Sequence, residues 1–148
     1  MWPSVPESLK EGTVLWGTLY DMMLGENEEE DISLLRSFRD EVLIPHQTAN
    51  KYVELLYKNS EEIATLFLEN PSLTADTGEV IHDLLPGIKN LLEGGVMRLS
   101  TKEISSIESL LIQFEKEASP RLKAAVRKVR RDIRKGNMFK QLGINVNK

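Results

Sequence analysis

Apolar side chains recur every three to four residues along most of the chain, and no convincing run alternates apolar with polar. That rhythm is helical: a 3.6-residue turn brings positions i, i+3, i+4 and i+7 to one side, whereas a half-buried strand needs a period of two. Residues 7–23 carry Leu9, Leu15, Trp16, Leu19, Met22 and Met23, a helix weakened by Gly12 and Gly17, or with Thr13 to Tyr20 extended instead. Gly25 to Asp31 reads as a solvated acidic loop whose carboxylates favour the positive end of the next helix. That helix spans about Asp31 to Leu43, with Ile32, Leu35, Phe38 and Val42 on one face. Pro45 stops it, since a proline in mid-helix forfeits a hydrogen bond and clashes with the preceding turn. Another covers about Thr48 to Lys58 and buries Ala49, Tyr52, Val53 and Leu56. Asn59 or Ser60 caps the next, about Glu61 to Glu69, with Ile63, Leu66 and Phe67 inside and Asn70-Pro71 closing it.

From Thr77 to Glu93 the apolar set is Val80, Ile81, Leu84, Leu85, Ile88, Leu91 and Leu92, and Pro86-Gly87 predicts a kink or two short helices. Gly94-Gly95 is a helix stop and the best candidate boundary between subdomains. Ser100-Thr101-Lys102-Glu103 has capping-box spacing, and Ile104, Ile107, Leu111 and Phe114 continue as a stripe. Ser119 caps and Pro120 opens a further helix that Gly136 ends after Lys135. So short a link between two helices predicts an antiparallel hairpin. The tail carries Met138, Phe139, Leu142 and Ile144, enough for one more turn packing back. The expected fold is all-α, a bundle of six or seven helices ending in a helical hairpin. It divides into an acidic bundle (1–95) and a basic hairpin with tail (96–148), or forms one continuous domain.

Composition narrows the class. A chain of 148 residues, 41% hydrophobic and 28% charged, can bury a core without a metal or disulfide. It has no cysteine, which excludes a thiolate metal site and a cysteine nucleophile. Met1 to Lys10 lack the basic start and apolar run of a signal peptide, and no stretch reaches the roughly 20 apolar residues of a membrane span, so a cytoplasmic protein without integral membrane contact is expected.

Charge is polarised. Residues 1–99 hold 7 Lys/Arg and 18 Asp/Glu, whereas 100–148 hold 12 and 5; net charges of −11 and +7 make up the overall −4. Such asymmetry suits a basic segment with an acidic partner, or two halves that attract each other within one molecule or between copies.

Leu34-Leu35-Arg36-Ser37-Phe38-Arg39-Asp40-Glu41-Val42-Leu43, Tyr52 to Tyr57, Glu62-Ile63-Ala64 and Asn70-Pro71-Ser72-Leu73 together are similar to the CFI-box C-terminal domain. The resemblance covers roughly residues 20–92 and rests on a Leu-Arg-x-Phe-Arg-Asp core, a tyrosine-containing helix and an Ile-Ala element. Trp16 to Leu24 stands where that family has its Cys-Phe-Ile stretch, and a long C-terminal region follows the matched part. The resemblance implies a small bacterial helical module and no mechanism.

The basic helix is the sharpest chemical feature. At about 100° per residue, Val126, Val129 and Ile133 fall within about 40° of Leu122. Arg121, Lys123, Arg127, Lys128, Arg130, Arg131, Arg134 and Lys135 fill the remaining arc, an outward strip roughly 24 Å long. Such a strip suits phosphates or an acidic protein surface; the bland alternative is a solvated face steadied by the chain's own acids. No base-stacking aromatic lies on it. Glu79, His82 and Asp83 share a helix face and so could hold a cation for a small metal-dependent hydrolase, although a polar surface triad is far commoner. His46 beside Pro45 reads as a helix-terminus residue, and Arg36 and Asp40, one turn apart, as a helical ion pair. Neither Gly-x-Ser-x-Gly nor a phosphate-cradling glycine loop is present. The expected function is a non-catalytic interaction module without cofactor or metal. It contacts an acidic partner through those eight bases; a nucleic-acid-binding protein and the hydrolase are the alternatives.

Overall fold

The structure, a computed structural model, describes residues 28–147. The element expected over 7–23, the start of the acidic run and the Trp16 to Leu24 stretch lie outside the described residues. The order is α1 (Glu28–Phe38), a π-helical turn (Arg39–Leu43), α2 (Gln47–Lys58), α3 (Ser60–Glu69), α4 (Pro71–Leu92), β1 (Met97–Ser100), α5 (Thr101–Glu117), α6 (Pro120–Lys135), α7 (Asn137–Gln141) and β2 (Ile144–Asn147). The class is all-α, with seven α-helices among the described residues. No described helix is long and apolar enough to cross a membrane.

Local chemistry accounts for the boundaries and for the departures from expectation. Glu29, Glu30 and Asp31 sit within the first turns of α1 rather than in a loop, where carboxylates complement the unpaired N-terminal amides. The helix expected to reach Leu43 does so through a wider last turn, in which Ile44 N–H donates to the Arg39 carbonyl at 2.8 Å. Exposed His46 is the N-cap residue of α2, as its place beside Pro45 suggested. Asn70-Pro71 does not merely close α3: Pro71 is the first residue of α4, where a missing N–H costs nothing. Two short helices do not appear at Pro86, because α4 is continuous through it. The hydrogen bond Pro86 cannot donate is one to the His82 carbonyl, and both residues are exposed, so water can take its place.

The tail also departs from a simple extra turn. After α7, β2 pairs in parallel with β1, Met97 opposite Ile144 and Leu99 opposite Val146. Met97 and Leu99 point inward while Arg98 points out. Gly87 lets this ladder approach α4, since a Cβ there would meet Met97 Cγ at 3.0 Å.

Two hydrophobic clusters form the core. One gathers Ile63, Leu66, Phe67 and Leu73 with Leu122 and Val126; the other gathers Ile88, Met97, Leu99, Ile133, Phe139 and Ile144. Each draws side chains from both sides of Gly94-Gly95. Leu111 and Phe114 pack with Leu122 and Val126 near the turn, and Ile104 and Ile107 with Val129 and Ile133 at the far end, the order of an antiparallel α5–α6 hairpin. The capping box at the start of α5 is complete: Glu103 N–H donates to Ser100 Oγ at 3.1 Å and Ser100 N–H to Glu103 Oε1 at 3.1 Å.

Candidate functional site

The site grows from the way α6 is started and stopped. Ser119 Oγ accepts from Leu122 N–H at 3.4 Å, Pro120 occupies the first turn, and Gly136 ends the helix in the left-handed region at φ 77°. A carboxylate from α3 reinforces this start: Glu62 accepts from Ser119 N–H at 2.6 Å and from its hydroxyl at 2.5 Å. Leu122, Val126 and Ile133 are buried, as the narrow apolar seam predicts.

The eight cations do not all face water. Arg121, Arg127, Lys128, Arg131, Arg134 and Lys135 are exposed, whereas Lys123 and Arg130 are half-buried. Arg130 folds onto α5, where Nη1 donates to Glu115 Oε2 at 2.7 Å, and Arg127 Nε stands 3.4 Å from Glu115 Oε1. The expectation that every base points outward therefore fails at Arg130. Helical side chains lean toward their own N-terminus, so in an antiparallel hairpin Glu115 leans away from the turn and Arg127 and Arg130 lean toward it. Their heads meet in the middle. Lys128 pairs with Asp132 at 3.2 Å, and Arg121 donates to the Lys58 carbonyl at 3.4 Å. Both carboxylates that pair with α6 thus belong to the hairpin itself, among the described residues. Arg131, Arg134 and Lys135 form no ion pair there. Glu115→Ala is expected to leave Arg130 half-buried and unpaired and to cost about 1–2 kcal/mol in urea unfolding, with Glu115→Gln recovering part.

Tyr52 and Asp132 join α2 to α6. The Tyr52 hydroxyl donates to Asp132 Oδ2 at 2.5 Å, and Lys128 Nζ lies 5.9 Å from the Tyr52 ring centroid. Burial first, then the Asp132 hydrogen bond and charge, push the Tyr52 phenol well above its ordinary range. The Tyr52 hydrogen bond lowers the Asp132 carboxyl most; burial opposes it, and Lys128 and Lys135 assist. A depressed acid contributes stability that is present above the ordinary carboxylate range and lost as pH falls through its folded value. A raised phenol contributes stability that is lost only as pH rises through its own. Acid unfolding followed by circular dichroism should therefore be less steep with pH in Tyr52→Phe, whose stability at neutral pH is already lower.

Near the N-terminal helix, Arg39 Nε bridges Asp40 at 2.8 Å and Arg39 Nη1 donates to the Tyr57 hydroxyl at 2.8 Å. The Arg39 hydrogen bond, with the charges of Arg39 and Arg36, holds the Asp40 carboxyl below its usual range despite opposing desolvation. The Arg36–Asp40 pair expected from spacing is thus led by Arg39, adjacent in sequence. Glu79 and Asp83 line a polar cleft with Asp76 and Lys102, while His82 is exposed on α4. No group of three or more His, Asp or Glu side chains is placed to hold a metal among the described residues.

Sequence reasoning missed a cavity of about 430 Å³ beneath α6. Its lining includes Tyr52, Leu56, Ile63 and Phe67 from α2 and α3, and Ile81, Phe114, Val126 and Val129 from α4, α5 and α6. Phe67 and Phe114, both in its wall, meet edge to face with centroids 5.6 Å apart. Its walls come from five helices, and only the hydrophobic faces of each were readable beforehand.

No family model matches the chain, and neither curated proteins nor solved structures give a match.

Proposed function

We propose that the protein is a non-catalytic interaction module that holds an acidic protein partner on the exposed face of α6. The observation that carries this reading is the cluster of Arg131, Arg134 and Lys135, exposed and without ion pairs among the described residues, beside exposed Arg127. Like charges three or four residues apart on a helix repel by a few tenths of a kcal/mol per pair. Arg127, Arg131, Arg134 and Lys135 are spaced in that way, so the cluster works against the helix that carries it. An acidic surface relieves that repulsion and gains bidentate guanidinium contacts.

A bounded acidic patch fits better than a long polyanion. The strip is only roughly 24 Å long, and the rest of the chain is acidic, so an extended nucleic acid runs off the strip onto repelling surface. The resemblance to CFI-box C-terminal domains, and the cytoplasmic setting of a small bacterial module, belong to this same reading.

Fluorescence anisotropy with labelled poly-glutamate, duplex DNA and single-stranded RNA, over a salt series, tests it. Poly-glutamate is expected to bind and to weaken at least tenfold with Arg131→Glu/Arg134→Glu/Lys135→Glu. Equal binding by that variant, or none by the native chain, removes the reading. Tighter binding of DNA or RNA replaces it with the nucleic-acid alternative. Sedimentation in the same salt series checks for pairing between copies, which ionic strength would dissolve.

A further inference from the structure

We infer that the cavity beneath α6 binds a long-chain carboxylate, its hydrocarbon tail among Phe67, Phe114 and Val126 and its head at Arg121. The site shares α6 with the proposed partner surface but does not rest on it, since Arg131, Arg134 and Lys135 play no part.

Size and lining give the tail. At about 430 Å³ the cavity lies in the range of about 300–1,000 Å³ typical of small-molecule sites. The polar side chains in its wall already have partners: the Tyr57 hydroxyl accepts from Arg39 Nη1 at 2.8 Å, and the other four donate. Asn59 Nδ2 donates to the Leu55 carbonyl at 2.8 Å, Ser60 Oγ to Leu56 at 3.0 Å and Thr77 Oγ1 to Leu73 at 2.7 Å. Tyr52 donates to Asp132. A polar metabolite would therefore give up its hydration for a wall with few free donors, an unfavourable exchange. A methylene chain gives up no hydrogen bond and gains from each CH₂ it buries. The rim is greasy too, since Leu56 lines the cavity while 51% exposed.

Charge at the rim gives the head. On the helical wheel Arg121 and Lys128 flank the cavity-lining Ala125 on its outer side, one heptad apart. Lys128 Nζ stands against the lining Tyr52 ring, and Arg121 donates to the carbonyl of Lys58, the neighbour of lining residues Tyr57 and Asn59. Lys128 shares Asp132, but Arg121 has no carboxylate partner among the described residues. Lys128 is already matched by Asp132, whereas Arg121 has only a carbonyl to donate to and can take an anionic acceptor as well. A single head group on an aliphatic tail answers both halves of the site, whereas a neutral alkane or alcohol answers only one.

Calorimetric titration of the full chain with laurate, dodecanol and acetate separates these contributions. Laurate is expected to bind one to one, dodecanol more weakly, and acetate not measurably. Arg121→Gln is expected to weaken laurate about tenfold and leave dodecanol unchanged. Ala125→Trp, which fills the cavity, is expected to weaken both at least thirtyfold. Should Ala125→Trp fail to fold, nuclear Overhauser contacts between laurate methylenes and the Phe67 and Phe114 rings of the native chain decide the matter. Saturable binding with those contacts supports the site. Equal affinity for laurate and dodecanol, undiminished binding in a folded Ala125→Trp, or no binding overturns it. So does finding those rings in contact with a second copy, an acidic helix or residues 1–27 in place of laurate.

Discussion

Leu99→Ala is expected to lower the unfolding free energy by about 3 kcal/mol, the centre of the range for emptying a buried leucine site. Leu99 is only 1% exposed, lies in β1 opposite Val146, and belongs to the cluster of Ile88, Met97, Ile133, Phe139 and Ile144. Four structural elements meet β1 in this cluster: the long helix α4, the hairpin, the short helix α7 and the second strand. The backbone ladder keeps β1 in place, so the walls cannot collapse fully into the space and the cavity cost adds to the lost transfer energy. Against a total of about 5–15 kcal/mol this is a large fraction. It corresponds to a fall in Tm of roughly 10 °C for a chain this size. Denaturant midpoints with an unchanged slope are the measurement. A loss under about 1 kcal/mol would mean that β1 is not the packing centre described above.

Glu62→Ala should cost about 2 kcal/mol. Its carboxylate accepts two short hydrogen bonds, from Ser119 N–H at 2.6 Å and Ser119 Oγ at 2.5 Å, and stands at the positive end of α6. Loss of an N-cap interaction alone costs about 1 kcal/mol, and the charge-assisted bond and helix dipole add a comparable amount. Glu62→Gln keeps an acceptor without the charge and should fall near the midpoint between native and alanine. Glu62 and Ser119 join α3 to the start of the hairpin, so their coupling can be separated in a double-mutant cycle with Ser119→Ala.

How far the sequence was readable differs from one end of a helix to the other. α6 was legible to the residue, because Ser119, Pro120 and Gly136 each have a distinct local reason to start or stop a helix. The same is true of Ser100 and Glu103, whose reciprocal bonds form as their spacing predicts. Prolines told only part of the story: Pro71 closes α3 and also begins α4, and Pro86 rides on the wet side of a helix that runs through it. Met97–Ser100 and Ile144–Asn147 were missed because four residues are too few to separate a period of two from one of 3.6. Parallel partners far apart in sequence leave no turn signal between them.

The candidate site divides in the same way. Exposure of Arg127, Arg131, Arg134 and Lys135 followed from the wheel. Arg130 did not, because its place is set by how far a guanidinium leans along the helix to reach Glu115. The cavity had no signature in any one segment. It exists because the faces of five helices meet incompletely, a property of their packing together.

The parallel ladder also has a consequence for the order in which the molecule can be assembled. Synthesis delivers Met97–Ser100 long before Ile144–Asn147, yet each strand is the other's only hydrogen-bonding neighbour among the described residues. The cluster holding Ile63, Leu66 and Leu73 can close once α6 has emerged from the ribosome. The cluster around Leu99 must wait with one wall open until Ile144 arrives. During that interval Met97 and Leu99 lie uncovered on an unpaired strand, the situation in which chaperones and aggregation compete for a nascent chain.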